Sequence, residues 1–358
     1  MSLFSSKSEY SLGIDFGTQS IKAVELKMVK GKAHLVNYGW VDVTNVKETP
    51  DAYDSDYAQR LKDALGELLI QMKPHTKKAT VAIPSFNGLV MVIDFPRMNE
   101  KELSDAMKFE AQKYIPASLD EVNVSWEIIE EKKDAVEAAD DGINQKTGSS
   151  ENMKVLLVAA PKSEVQYYDS LFEKVSTSIS TLELESFSLV RSVIGNTKGR
   201  FVLVDFGAKT TNIVFVEDGL VSVNRSVDIG GVNITNAIMQ GMNISREKAV
   251  SLKKNGENYF SGPAKIGFPS LSNIGNEIKR VLSAQRSNKI EELVLCGGGA
   301  ELVGLPEFFE KMTGLKVVLG NPLSHIVFDE EKSGNIKELG NLLSVSIGLA
   351  LRDLEDKK

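Results

Sequence analysis

The tripeptide Asp-Phe-Gly occurs twice in this chain, as Asp15-Phe16-Gly17 within "SLGIDFGTQS" and as Asp205-Phe206-Gly207 within "VLVDFGAKTT", 190 residues apart. Each copy ends a short apolar strand and opens a bend, and two more strands follow each. The first set reads "YSLGIDFG", "SIKAVELKMV" and "KAHLVNYGWVDV"; the second reads "RFVLVDFG", "TNIVFVEDG" and "LVSVNRSVDIG". One tripeptide can recur by chance. Recurrence at the same bend of two three-strand meanders points to an internal duplication. At 358 residues the chain also exceeds what one core comfortably serves. Two related α/β domains in one chain are therefore predicted.

The remaining pattern fits around that repeat. Residues 56–73 place Tyr57, Leu61, Leu65, Leu68 and Leu69 on one helical face, and Pro74 follows. The strand "ATVAIP" comes next. A separate small unit spans residues 86–178: strand "LVMVIDFP", helix "NEKELSDAMKFEAQKY", strands "VNVSWEII" and "MKVLLVAAP", and helix "EVQYYDSLFEKV". Asn99 and Glu102 form a capping box at the first of these helices. Residues 130–152 hold few apolar groups and read as an exposed excursion. After the second meander come a helical stretch over 233–286, broken near "NGENYFSGP", then strand, Gly-rich turn and helix in "ELVLCGGGAELVGLPEFFEKM", and a last helix, "NLLSVSIGLALR".

Composition excludes several function classes. The net charge of −7 argues against nucleic acid as principal ligand. A single cysteine, Cys296, excludes an internal disulfide framework and fits a reducing compartment. His34, His75 and His325 lack metal-ligand spacing. No apolar run approaches the ~20 residues that span a bilayer, "MSLFSSKSEY" lacks the apolar middle of a signal peptide, and "GLALRDLEDKK" offers no basic amphipathic helix. A cytoplasmic protein is expected.

A carboxylate at a strand end, followed by glycine and hydroxyls in a tight turn, suits phosphate and magnesium. Gly17 and Gly207 let backbone approach phosphate oxygens. Thr18, Gln19, Ser20, Ala208, Lys209, Thr210 and Thr211 complete the two turns, several of them offering hydroxyls. Asp15 and Asp205 can hold Mg2+ through water, and Lys22 can neutralise phosphate charge. Read alone, either turn is equally an ordinary hairpin with glycine where φ must be positive. Two like turns on related domains instead face one another and clamp a polyphosphate. Gly297, Gly298, Gly299 and Ala300 form a third turn, where a flat ligand can lie on bare backbone or where strand and helix are simply linked tightly. The spacing differs from the dinucleotide fingerprint, so a mononucleotide with several phosphates fits better.

Phosphate turn, second phosphate turn and Gly-rich turn, in that order, resemble the actin-like ATPase superfamily over nearly the whole chain. The resemblance implies an α/β fold of two duplicated ribonuclease-H-like domains around a nucleotide cleft, with ATP or ADP and Mg2+ as cofactors. It places residues 1–85, completed by 179–198 and 342–358, in the first domain. Residues 86–178 are then an inserted α+β subdomain, and 199–341 the second domain with a helical part near 232–290. By the same resemblance Gly298 and Gly299 lie beside base and ribose, Glu277 and Arg280 beside adenine, and Glu185 near an attacking water.

The position of the insertion, and the run ending Glu110-Ala111-x-x-Tyr114-Ile115-Pro116, are similar to the type IV pilus assembly proteins of the PilM family. That implies a cytoplasmic protein held at the inner face of the membrane by the tail of an inner-membrane PilN-like partner, with other pilus proteins as neighbours and self-association as a further expectation. Tyr114 and Ile115, ending a helix beside a proline, are expected to reach the surface and line the partner groove. Ala208 and Lys209 replace small or acidic residues of active relatives, so slow turnover at most is expected. A polymerising, FtsA-like division protein is the alternative, and a kinase of the same fold ranks below both.

Overall fold

The computed structural model describes residues 9–44, 55–115, 118–131, 152–254, 256–261, 265–284, 289–331 and 333–355. The first meander forms where alternation and turns put it, as β1 (Tyr10–Phe16), β2 (Ser20–Val29) and β3 (Lys32–Asp42). Then come α1 (Ser55–Met72), β4 (Lys78–Ile83), β5 (Leu89–Pro96) and α2 (Glu100–Tyr114), followed by β6 (Val122–Glu131), β7 (Asn152–Pro161) and α3 (Lys162–Phe172). The strand β8 (Ser178–Leu184) runs directly into α4 (Glu185–Val193). The second meander is β9 (Arg200–Phe206), β10 (Thr211–Glu217) and β11 (Leu220–Val227). The helical stretch resolves into α5 (Gly231–Met242), α6 (Arg246–Lys254) and α7 (Pro269–Ala284). The chain ends through β12 (Glu292–Cys296), α8 (Leu305–Thr313), β13 (Val317–Leu319), α9 (Ile336–Leu339) and α10 (Ser344–Glu355).

Strand order carries the duplication further than sequence could. The first sheet runs β3-β2-β1-β4-β8, antiparallel through the meander, with β4 parallel to β1 and β8 parallel to β4. The second repeats it as β11-β10-β9-β12-β13, with the same senses. That sheet does not stop at β11. Val223 lies opposite Met91 of β5, which extends the sheet through β5, β7 and β6 to eight strands. The insertion therefore shares a sheet with the second domain although the chain enters it from the first.

Each face of the inserted sheet is covered. On one side α2 presents Leu103, Met107 and Ala111, buried against Phe95, Met153, Val155 and Leu157. On the other, Val90 and Leu156 join Leu171, Phe172 and Tyr168 of α3 in the first domain's core. The capping box forms at α2: Asn99 Oδ1 accepts from the Glu102 amide at 3.0 Å, and the Asn99 amide donates back at 3.3 Å.

Ile115 corrects an expectation. Its side chain is only 7% exposed, because it continues the i, i+4 row through Leu103, Met107 and Ala111 into the core, and its amide still donates to Ala111 O at 3.0 Å. Tyr114, a step round the helix, is 39% exposed, with its hydroxyl 3.4 Å from Glu110 Oε1. Pro116 lies outside the described residues, as does most of the acidic excursion, residues 132–151.

Helix α1 covers the first sheet with Leu61, Leu65, Leu68 and Leu69 buried and Tyr57 packed beside them. Helix α10 packs against β1, β2 and α4.

Candidate functional site

The two Asp-Phe-Gly turns close identically. The Gly17 amide donates to Ser20 O at 2.9 Å, and the Gly207 amide to Thr210 O at 3.1 Å. Both glycine amides are thus spent on the turns themselves, and any backbone donors to a ligand come from the residues that follow. In register, Asp15 stands opposite Lys22, and Asp205 opposite Asn212. Lys22 and Asn212 are again 190 positions apart, so duplicated sites carry a cation in one copy and an amide in the other.

That asymmetry organises the floor of the cleft. Lys22 Nζ lies 2.6 Å from Asp15 Oδ2 with both groups buried. Burial alone pulls the Lys22 ammonium down, but Asp15, with Asp205 and Glu185 behind it, outweighs burial and holds it above its usual value. Asn212 Nδ2 donates to Glu185 Oε2 at 3.2 Å, as does the Ser85 amide at 3.2 Å, and Ser226 Oγ fixes Asn212 by donating to its Oδ1 at 2.7 Å. Glu185 is the first residue of α4, half-buried between the domains. Burial first, then Asp15 and Asp205, push its carboxyl from 4.5 to about 8. Burial and Asp15 likewise lift Asp205 from 3.8 to about 6, with Lys22 and Asn212 pulling back. Three carboxylates face one ammonium, a charge balance that a cation or a protonated carboxyl completes.

Above this floor lies a cleft of about 450 Å³. Thr18 of the first turn and Lys209 and Thr210 of the second line it, together with Phe86, Asp228 and the start of α5 at Val232 and Asn233. Helix α5 is tied to the second turn, since the Gly231 and Val232 amides donate to Gly207 O and Ala208 O, each at 2.9 Å. Thr211 Oγ1 donates to Ile229 O at 2.6 Å, so that hydroxyl serves the fold. Lys253 of α6 donates to Gly231 O at 2.9 Å, and burial, Lys254 and Arg246 bring its ammonium down to about 8. Burial and Arg246 also lower Lys209. The second turn thus has a cationic rim over an acidic floor, an arrangement suited to an anion that itself carries a cation.

The Gly-rich turn packs on the second Asp-Phe-Gly. The Gly299 amide donates to Phe206 O at 2.8 Å. A Cβ on Gly297, whose φ is +84°, would meet Asp205 Oδ1 at 2.3 Å, and one on Gly299 would meet Phe206 Cδ1 at 2.1 Å. Those two glycines are explained by packing, as is buried Ala300. Gly298 faces outward and leaves backbone open to a ligand.

The structure therefore gathers Asp15, Lys22, Asp205 and Glu185 at one place, with the Gly-rich turn against Asp205. It does not bring Glu277 and Arg280 into that group. Arg280 Nη1 pairs with Glu277 Oε2 at 3.0 Å on α7, with the arginine largely in solvent. Ser85, Phe86, Asn212 and Asp228 were not marked by sequence reasoning. Asn212 was within reach of it, because a 190-residue shift lays it on Lys22. Among the described residues no three carboxylate, histidine or cysteine side chains converge to ligate a metal directly. Among them, too, no helix is long and apolar enough to cross a membrane.

Comparisons with known proteins agree with this architecture. The chain is 20% identical over 380 residues to the cell division protein FtsA of Streptococcus pneumoniae serotype 2, covering 93% of this chain and 81% of FtsA. A solved PilM-PilN type IV pilus biogenesis complex superposes with a TM-score of 0.77 at 22% identity, over 97% of this chain and 99% of that one. MreB5 of Spiroplasma citri bound to ADP superposes with a TM-score of 0.51 at 14% identity, over 98% of each chain. The fold is that of the actin-like ATPases. The family model described as type IV pilus assembly protein PilM runs from residue 13, in the strand before the first turn, to residue 354 in α10, and the chain belongs to that family.

Proposed function

We propose that this chain holds ATP or ADP with Mg2+ between its two Asp-Phe-Gly turns and works as a cytoplasmic assembly protein of a type IV pilus or type II secretion-like machine. It would be kept at the inner face of the membrane by the cytoplasmic tail of a PilN-like partner. The observation that carries the nucleotide reading is the meeting of Asp15, Lys22, Asp205 and Glu185 under a cleft lined by both turns. Asp15 and Asp205 would hold the ion through water, in keeping with magnesium's reluctance to shed its hydration shell. The bound ion supplies charge neutralisation for the phosphates. Thr18 and Thr210 orient them by hydroxyl donation, Lys209 adds charge at the rim, and Gly298 offers bare backbone to the base side. Domain limits at residues 85, 178 and 341 go with this reading.

Asp15→Ala and Asp205→Ala should each weaken Mg·ATP binding by roughly ten- to hundredfold, the 1.5–3 kcal/mol of a charge-assisted contact, while circular dichroism stays unchanged. Isothermal calorimetry decides. Equal ATP affinity in the wild type and both variants would remove the clamp.

The partner reading is supported by family membership and by the likeness to the PilM-PilN complex. Within the insertion, α2 leaves Tyr114 and Phe109 exposed on the side away from the core, with Phe109 72% exposed. Tyr114→Ala should lose at least roughly tenfold in affinity for the N-terminal peptide of a PilN-like protein, as expected of an aromatic anchor, and should keep wild-type ATP affinity. Unchanged peptide affinity, read by fluorescence anisotropy, would place the groove elsewhere on the insertion.

A further inference from the structure

The loop Pro84–Gly88 carries the chain from β4 into the insertion and crosses the cleft on its way. It is fixed at three points. The Ser85 amide donates to Glu185 Oε2 at 3.2 Å, Ser85 O accepts from Asn224 Nδ2 at 3.2 Å, and Gly88 sits so close to Leu184 that a Cβ there would meet its Cδ2 at 2.3 Å. A loop pinned in this way has little freedom to turn Phe86 into a core. Its ring stands 52% exposed and lines the cleft beside Thr18, Lys209 and Thr210. Neither turn needs an apolar neighbour to hold its shape, since each closes on its own backbone hydrogen bond. A large ring left in water at the centre of a polar cleft gains only when something covers it.

We propose that Phe86 is the covering residue of this cleft: its ring closes over the terminal phosphate of a bound nucleoside triphosphate and keeps bulk water from Glu185. The inference rests on the nucleotide reading above and adds to it why the triphosphate is held rather than turned over. Hydrolysis forms a bond from water oxygen to the terminal phosphorus and breaks the bond to the bridging oxygen. Nucleoside diphosphate and phosphate leave, and the water's proton passes to a base. The ring denies that reaction its water. Glu185, one hydrogen bond from the same loop and holding its own proton up to about pH 8, is a poor acceptor for the proton. Opening the loop would hydrate Glu185 and admit water in one movement.

The test uses the full chain with Mg·ATP and Mg·ADP as probes. Phe86→Ala should bind ATP roughly three- to tenfold more weakly, from the contact area lost, and ADP within about twofold of wild type. Its phosphate release should rise at least roughly tenfold, while Phe86→Leu, which keeps an apolar cover, stays near wild type. In Phe86→Trp the indole emission should shift on adding ATP and stay unchanged with ADP. If Phe86→Ala binds ATP like wild type, or loses ATP and ADP equally, the ring does not cover the terminal phosphate. An unchanged emission in Phe86→Trp that nevertheless binds ATP overturns the proposal in the same way and leaves the nucleotide reading standing. If the wild-type chain binds neither nucleotide, both fall together.

Discussion

Replacing Lys22 by methionine is expected to cost the ligand-free protein about 3–5 kcal/mol near pH 8, and far less near pH 5, the scale for removing one partner of a buried ion pair. Methionine fills most of the volume, so packing changes little and charge decides. In the wild type the ammonium sits 2.6 Å from Asp15 and also faces Asp205 and Glu185. Without it only protons can relieve three clustered carboxylates. The folded state already holds protons that the unfolded chain releases, because the Glu185 carboxyl is raised from 4.5 to about 8 and that of Asp205 from 3.8 to about 6. For a carboxyl raised by folding, stability is greatest below its unfolded value and falls as pH climbs to its folded value. Wild-type stability should therefore decline by a few kcal/mol between about pH 4.5 and pH 8, the opening to the cleft screening part of the effect. The decline should be steeper in Lys22→Met and shallower in Glu185→Gln. Urea unfolding across that range, without nucleotide, measures it. A loss in Lys22→Met that is the same at every pH would mean that the lysine acts through packing.

The parts of this site that sequence disclosed are those with rigid local rules. An Asp at a strand end, a glycine at the bend and a return strand specify a turn whatever surrounds it, so both turns were legible. So was α2, whose capping box and apolar row leave little choice. The strand β8 was not. Its residues, "SISTLEL", are mostly small and polar and only half-covered at the sheet edge, so no alternation of apolar residues announces it. The short β13 offers three residues, too few to show a period. Ile115 was misplaced because the neighbouring proline was weighed above the i, i+4 row to which it belongs. Phe86 and Ser85 escaped notice for a different reason. Their role comes from β4, α4 and β11 converging on one loop, and no local pattern encodes such a meeting.

Gly348→Ala should destabilise the protein by about 3 kcal/mol, the upper end of what overpacking costs, although alanine is the better helix former by about 1 kcal/mol. The two effects oppose, and geometry settles which prevails. Gly348 lies in α10 where that helix crosses α4, and a Cβ there would come 1.8 Å from Ser188 O. The obstacle is backbone and cannot swing aside. The crossing is fastened on both sides: Arg191 Nη1 donates to Gly348 O at 2.9 Å and to Glu183 Oε1 at 2.7 Å, and Arg352 reaches Glu183 Oε2 at 3.2 Å. Gly13 makes the matching approach from β1, where a Cβ would meet Ser346 O at 2.3 Å and Ala350 N at 2.6 Å, so Gly13→Ala should cost a similar amount. Gly66 provides the contrast. It also lies within a helix, but a Cβ there would find only Val175 Cγ1, at 4.0 Å. Gly66→Ala should therefore raise stability by about 0.5–1 kcal/mol, helix propensity acting unopposed. Because α10 lies between β1, which ends on Asp15, and α4, which begins with Glu185, forcing the crossing apart also moves two residues of the cleft floor. Gly348→Ala should lose ATP affinity even at temperatures where it stays folded, whereas Gly66→Ala keeps it. Denaturant unfolding and calorimetry on the three variants test both halves, and a Gly348→Ala as stable as Gly66→Ala would show that α4 and α10 do not meet backbone to backbone.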